Sequence, residues 1–193
     1  MNDLDYIHPP TSLEHILART RAINFGMASE DRTGALLRVL AASKPSGRLL
    51  ELGTGTGVGT AWLLAGMDPA STLVSVDTDP EAQAVAREHI GTDRRLTLII
   101  EDGAAFLRGQ NPQSFDLVFA DATPGKYETL EAALAVVKPG GLYIIDDMLP
   151  QPNWPEGHAE KVPVLLDRLA SDTRFLICPI AWASGLVVAV RKA

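Results

Sequence analysis

Five acids and a run of alternating glycines are the residues of this sequence best placed to do chemistry. Glycines at 53, 55, 57 and 59 follow the apolar run Leu49–Leu52 and precede a helical apolar pattern, so Arg48 to Leu64 reads as strand, tight turn and helix N-terminus. Such a turn sets backbone N–H groups and a positive dipole end against a ligand, and glycine lets the backbone come close and adopt positive φ. A nucleotide-like cofactor site is the expectation. One of the acids, Glu51, lies inside this stretch, and the others, Asp77, Asp121 and the pair Asp146-Asp147, close later apolar runs. Gathered carboxylates repel unless a proton or cation is shared, so Asp121, Asp146 and Asp147, converging, would suit a hard divalent ion such as Mg²⁺, Mn²⁺ or Ca²⁺. No His or Cys falls at these positions to favour a softer metal.

The elements that must carry these residues alternate along the chain. Residues 1–10 are polar and end in Pro9-Pro10, an extended arm. Thr11 with Glu14 fits a capping box that opens a helix to about Arg21, and a second helix runs from about Glu30 to Ala42. These leading helices either pack on the core or cover the cofactor. Strands are expected at Thr72–Val76, Leu96–Ile100, Phe115–Ala120 and Leu142–Ile145. Between them, Asp79-Pro80-Glu81 gives an N-cap, a proline at the first helical position and an acid in the first turn of a helix to about Ile90. A short helix from Asp102 to Arg108 and another from Tyr127 to Val137 follow.

After the proline-rich loop Pro150–Gly157, with Trp154, a helix runs to about Ala170; Pro163 requires its regular part to start near Val162. Phe175–Pro179 and Leu186–Val190, joined through Trp182 and Gly185, make an antiparallel pair. The whole predicts one α/β domain, a doubly wound sheet with its last strand antiparallel. In such sheets ligands bind beyond the carboxyl ends of the strands where strand order reverses, which is where the acids fall.

The cofactor can be narrowed. G-x-G-x-x-G fails because Val58 or Thr60 stands where the third glycine belongs, and no Gly-Lys-Ser/Thr follows the loop. Glu51 would lie next to a phosphate, which suits a cofactor carrying an ammonium and a sulfonium better. Asp77, roughly 20 residues beyond the loop glycines, fits an acceptor for both ribose hydroxyls. The run Glu51, Gly53, Gly55, Gly57 resembles motif I, E/D-x-G-x-G-x-G, of the class I S-adenosylmethionine-dependent methyltransferases. That resemblance implies a Rossmann-like seven-stranded sheet of order 3-2-1-4-5-7-6. It also implies an adenine contact from Asp102, Gly103 and Ala104, where Asp102 fits a plain N-cap as well.

From Met27 to Lys192 the chain resembles the cation-dependent O-methyltransferases of the catechol and caffeoyl-CoA type. In that family an Asp after the fourth strand and an Asp-Asn pair after the fifth bind the metal, and a Tyr lies six residues after the first Asp. Asp121, Asp146-Asp147 and Tyr127 stand at those places, and the segment Pro179–Lys192 is similar to the family's closing strand. Three departures stand out: Asp147 in place of Asn, Gly59 in place of Ser, and Pro124 in place of the Lys that acts as base. Lys126 takes over as base only if the loop bends differently, since two residues move a side chain by about 6 to 7 Å; Asp147 is the other candidate base, and Asp121 stands beside the methyl group.

The resemblance therefore implies one methyltransferase domain over 1–193, with 1–44 a helical cover and 45–193 the cofactor-binding core. It would transfer methyl from S-adenosylmethionine to a hydroxyl of a small acceptor, plausibly a catechol, with a divalent cation. A metal-independent methyltransferase and a non-catalytic cofactor-binding module are the alternatives.

Composition agrees with an enzyme of small molecules. A net charge of −7 without a basic block argues against nucleic acid or anionic membrane as partner. Cys178 stands alone, excluding an internal disulfide, and the polar start lacks a signal-peptide pattern, so a cytoplasmic protein is expected. A homodimer is implied by resemblance only, and the histidines at 8, 15, 89 and 158 form no ligand spacing.

Overall fold

A computed structural model describes residues 2–152 and 154–193. Its centre is a seven-stranded sheet of order β3-β2-β1-β4-β5-β7-β6. In chain order the strands are β1 (Arg48–Leu52), β2 (Thr72–Asp77), β3 (Leu96–Ile100), β4 (Phe115–Ala120), β5 (Val137–Ile145), β6 (Phe175–Ile180) and β7 (Leu186–Arg191). All neighbours run parallel except that β7 is antiparallel to both β5 and β6. The expected order and the antiparallel last strand are both found.

The apolar runs are long because both faces of the sheet are covered. One face buries Leu49, Leu73, Leu117, Phe119 and Ile144 against α1 (Leu13–Ala22), α2 (Asp31–Ala42), α3 (Val58–Gly66) and α4 (Pro80–Ile90). The other buries Leu50, Leu52, Val118, Tyr143 and Ile145 with residues of α5 (Gly103–Arg108), α7 (Leu130–Val136) and α8 (His158–Ser171). Successive residues of a strand point to opposite faces, so a strand buried on both sides reads as continuous apolar sequence. Between α5 and α7, α6 (Thr123–Lys126) is a single turn broken at Pro124 and Gly125.

Register sets the site. Leu52 pairs with Val76 and Ala120, and Ala120 with Ile145, so the residues that follow, Gly53, Asp121 and Asp146, emerge side by side with Asp77 at the carboxyl edge. As expected, Asp79 caps α4, its carboxylate accepting from Glu81 and Ala82 N–H at 2.9 and 3.0 Å.

Four local expectations are corrected. Thr11 forms no capping box: α1 begins at Leu13 behind a Ser12 already in helical conformation, because Leu13 N–H bonds to the Pro10 carbonyl and the prolines wind the chain first. The helix expected from Tyr127 runs only from Leu130 to Val136. Val137 has already joined the sheet opposite Phe115, and a register shift at β5 absorbs Lys138 to Gly141, where Gly140 has φ 73°. Finally, α8 starts at His158 with Pro163 inside it. Pro163 and Ala159, whose carbonyl loses its helical donor, are both exposed, so the proline sits where the helix faces solvent. Among the described residues no helix is long and apolar enough to cross a membrane.

Candidate active site

The glycine loop earns its composition at two positions above all. Gly53 has φ 102°, and a Cβ there would lie 2.8 Å from the Asp121 carbonyl oxygen, so only glycine lets β1 and β4 end in contact. Gly57, with φ 90° at the N-terminus of α3, would push a Cβ to 2.6 Å from that of Ala86 on α4. Gly55 N–H donates to Asp77 Oδ2 at 2.7 Å, and Asp79 N–H to Asp77 Oδ1 at 2.9 Å. The loop and Asp77 are thus one unit. They border a cavity of about 280 Å³ that Gly59 and Asp121 also line.

Glu51 lies beneath this cavity and does not line it; the side chain is buried. Its Oε2 accepts from Thr60 and Ser75 at 2.5 and 2.6 Å, and Ser75 is bonded to Thr54, which accepts from Gln83. The register that pairs Glu51 with Ser75 across β1 and β2 makes this column possible. Oε1 is buried with no hydrogen-bond partner among the described residues, and a Cβ on Gly59 would come within 2.7 Å of it. Burial pushes Glu51 up to about 7 against the pull of the two hydroxyls.

Asp102 caps α5, accepting from Ala105 N–H at 2.8 Å. Neither it nor Gly103 nor Ala104 borders the cofactor cavity, and Gly103 packs toward Pro124.

A second cavity of about 420 Å³ adjoins the first, lined by Asp121, Lys126, Asp146, Asp147, Trp154 and His158 among others. Met27, Ala28, Ser29, Asp121 and Ala122 border both. Asp121 accepts from Ser29 Oγ at 3.2 Å. Burial, then the Asp146 carboxylate beside it, push Asp121 up to about 8, opposed by the Lys126 ammonium. Asp146, also raised by burial, is held by Ser184 Oγ and by Asp147 N–H at 2.7 Å.

The loop after β4 does bend. Pro124 is extended, Gly125 has φ 91°, and Lys126 is turned inward to 4% exposure, its Nζ donating to the Asp146 carbonyl at 3.0 Å. Asp147 goes the other way. With φ 67°, its carboxylate accepts from Trp154 Nε1 at 2.5 Å and lies 3.5 Å from His158 Nε2, which in turn meets the Tyr127 hydroxyl at 3.1 Å.

Two of the three expected metal carboxylates therefore face each other, while the third is engaged by a tryptophan and a histidine. Among the described residues no group of three or more His, Cys, Asp or Glu side chains is placed to hold a metal ion. In this arrangement Asp121 and Asp146 are the two carboxylates left to face a hard ion, which would have to complete its coordination with water.

Ser29, Ser184 and His158 are site residues that sequence reasoning missed. The helix-breaking stretch before Glu30 was a signal for the first, since loops at this edge carry ligands; the other two had no local signal.

Residues 50–148 match a family model described as a methyltransferase domain. A curated protein from Mycobacterium sp. (strain JLS), named provisionally as an O-methyltransferase, is 31% identical over 186 residues, covering 90% of this chain and 84% of its own. Among solved structures, an O-methyltransferase from Streptomyces achromogenes in complex with SAM is 22% identical with a TM-score of 0.82, covering 97% of this chain and 92% of its own. One from Bacillus cereus in complex with SAH is 21% identical with a TM-score of 0.82, covering 96% and 93%.

Proposed function

This chain belongs to the methyltransferase domain family, and on that premise we propose that it moves a methyl group from S-adenosylmethionine to a hydroxyl of a small, catechol-like acceptor. The observation that carries the reading is the position of Asp121, which borders both the cavity under the glycine loop and the cavity of Lys126, Trp154 and His158. A cofactor in the first and an acceptor in the second would meet at that residue.

The cradle fits the cofactor: glycines that leave no side chain in the way, and an Asp77 carboxylate at the loop for ribose hydroxyls. When bound, S-adenosylmethionine supplies a methyl carbon made electrophilic by a sulfonium. The chain does the rest. Trp154 and His158, whose rings lie 4.4 Å apart and tilted by 32°, both line the second cavity and would give an aromatic acceptor a ring to pack on. Asp121 takes the hydroxyl proton as general base, and Lys126 steadies the negative charge on the acceptor oxygen. Holding both reactants in adjoining cavities removes the entropy of bringing them together.

The test is calorimetric titration of S-adenosylhomocysteine, followed by a product assay with S-adenosylmethionine and catechol. Binding with a monomethylated product supports the reading. Binding without turnover on any hydroxylated aromatic would leave a non-catalytic cofactor-binding module, and no binding would remove the basis of the proposal.

A further inference from the structure

We propose that Asp3 is a positioning residue of the acceptor site: its carboxylate clasps Arg32 to Trp182 and so fixes the spacing between two walls of the second cavity, the segment 26–30 and the turn that carries Ser184. This rests on the methyl-transfer reading only for what the cavity holds.

Three observations carry it. First, the bonds converge on one side chain. Asp3 accepts from Arg32 Nε and Nη2 at 2.7 and 2.9 Å and from Trp182 Nε1 at 2.8 Å, so a guanidinium fork and an indole 179 residues away meet at the same carboxylate. A bidentate, charge-assisted pair of this kind is among the stronger polar contacts and has a fixed geometry. The Arg32 and Trp182 donors hold the Asp3 carboxyl well below the usual carboxylate range, so it stays ionised at neutral pH. Second, packing does not explain where this segment sits. The short helical turn Asp3–Tyr6 buries none of its residues, and a chain start without buried anchors frays unless it is tied down. Asp3 ties it, and further along Arg38 Nη1 donates to the His8 carbonyl at 3.0 Å.

Third, both partners stand next to the cavity. Arg32 lies in the first turn of α2, just beyond Glu30, and Glu30 lines the cavity. Trp182 opens a turn that Gly185 N–H closes by bonding to the Trp182 carbonyl at 3.0 Å; Ser184, inside that turn, lines the cavity as well. Leu149 and Met148 N–H groups seat the turn, donating to the Ser184 and Gly185 carbonyls at 2.8 and 3.0 Å. The two walls thus belong to segments far apart in sequence, and no short covalent link sets their spacing. Asp3 joins them without one. Walls that had to be drawn together at each binding event would subtract that ordering from the acceptor's affinity.

The experiment compares Asp3→Ala and Asp3→Asn with wild type; Asp3 belongs to neither apolar core, so these variants keep the fold. Indole N–H resonances in a heteronuclear correlation spectrum read the bond itself. The Trp182 signal, assigned by its loss in Trp182→Phe, should move in Asp3→Ala and lie between the two in Asp3→Asn. Distances between nitroxides attached at Met27→Cys and Ala181→Cys, in a Cys178→Ser background, should lengthen or broaden in Asp3→Ala when read by electron paramagnetic resonance. The KM for catechol should rise by about tenfold in Asp3→Ala, no more than the loss of one charge-assisted hydrogen bond allows, and by more than kcat falls. Affinity for S-adenosylhomocysteine should stay close to that of wild type, because Gly55 and Asp77 hold the loop by their own bond. An unmoved Trp182 signal, an unchanged distance distribution or an unchanged KM would overturn the proposal. The resonance and the distance are read with no acceptor present, so failure of the clasp is separate from failure of the methyl-transfer reading.

Discussion

The Tyr143 hydroxyl, buried within β5, donates to the backbone carbonyl of Gly125, the residue at which the loop after β4 turns. Gly125 N–H also bonds to the Glu128 carbonyl at 2.7 Å. These bonds hold the bend that aims Lys126 inward. Tyr143→Phe strands a buried carbonyl, which costs about 1–3 kcal/mol. Chemical denaturation should show that loss, and the variant should transfer methyl more slowly while binding S-adenosylhomocysteine as the wild type does. Unchanged turnover would detach Lys126 from catalysis.

Gly53→Ala tests the contact between the ends of β1 and β4. The new Cβ would stand 2.8 Å from the Asp121 carbonyl in a backbone conformation at φ 102°, a strain of about 1–3 kcal/mol. Both stability and cofactor affinity should fall, the latter by about tenfold or more. A tight-binding alanine variant would show that the loop reshapes freely.

Asp77 is asked to hold the loop and a ribose at once. Asp77→Ala removes the partner of Gly55 N–H and a charged acceptor for a hydroxyl, each bond worth about 1.5–3 kcal/mol. Affinity for S-adenosylhomocysteine should drop by about 10- to 100-fold, with Asp77→Asn between alanine and wild type. Calorimetry reads this directly, and equal affinities would move the ribose elsewhere.

Glu51 makes stability depend on pH. Its carboxyl is raised from 4.5 to about 7 by burial, so the folded state binds its proton more tightly than the unfolded state does. The associated stability is fully present below about pH 4.5 and is lost as pH rises through about 7. At 1.36 kcal/mol per unit the loss is about 3 kcal/mol. Glu51→Gln keeps an acceptor for Thr60 and Ser75 but does not titrate. The stability of this variant relative to wild type should therefore grow between pH 5 and pH 8 in matched denaturation curves, and a constant difference would contradict the assignment.

Much of this was legible in the sequence because it is local or periodic. The doubly covered strands announce themselves as apolar runs, the Asp79-Pro80-Glu81 cap is complete within three residues, and the alternating glycines mark the loop. What escaped depends on contacts that no local pattern records. Lys126 was legible only on the condition that its loop bends, a bend that Tyr143 pins, and Asp147 is drawn away by Trp154 and His158, on a loop and a helix that no periodicity ties to it. The Ser29 and Ser184 hydroxyls reach their carboxylates across 92 and 38 residues.

Met27, Ala28 and Ser29 form part of the wall of both cavities. A wall shared by two ligands makes their affinities a single quantity: whatever factor a bound cofactor imposes on the acceptor's dissociation constant, the acceptor imposes on the cofactor's. Substitutions in this short segment should therefore change how strongly the two ligands sense each other, even where neither ligand loses a hydrogen bond.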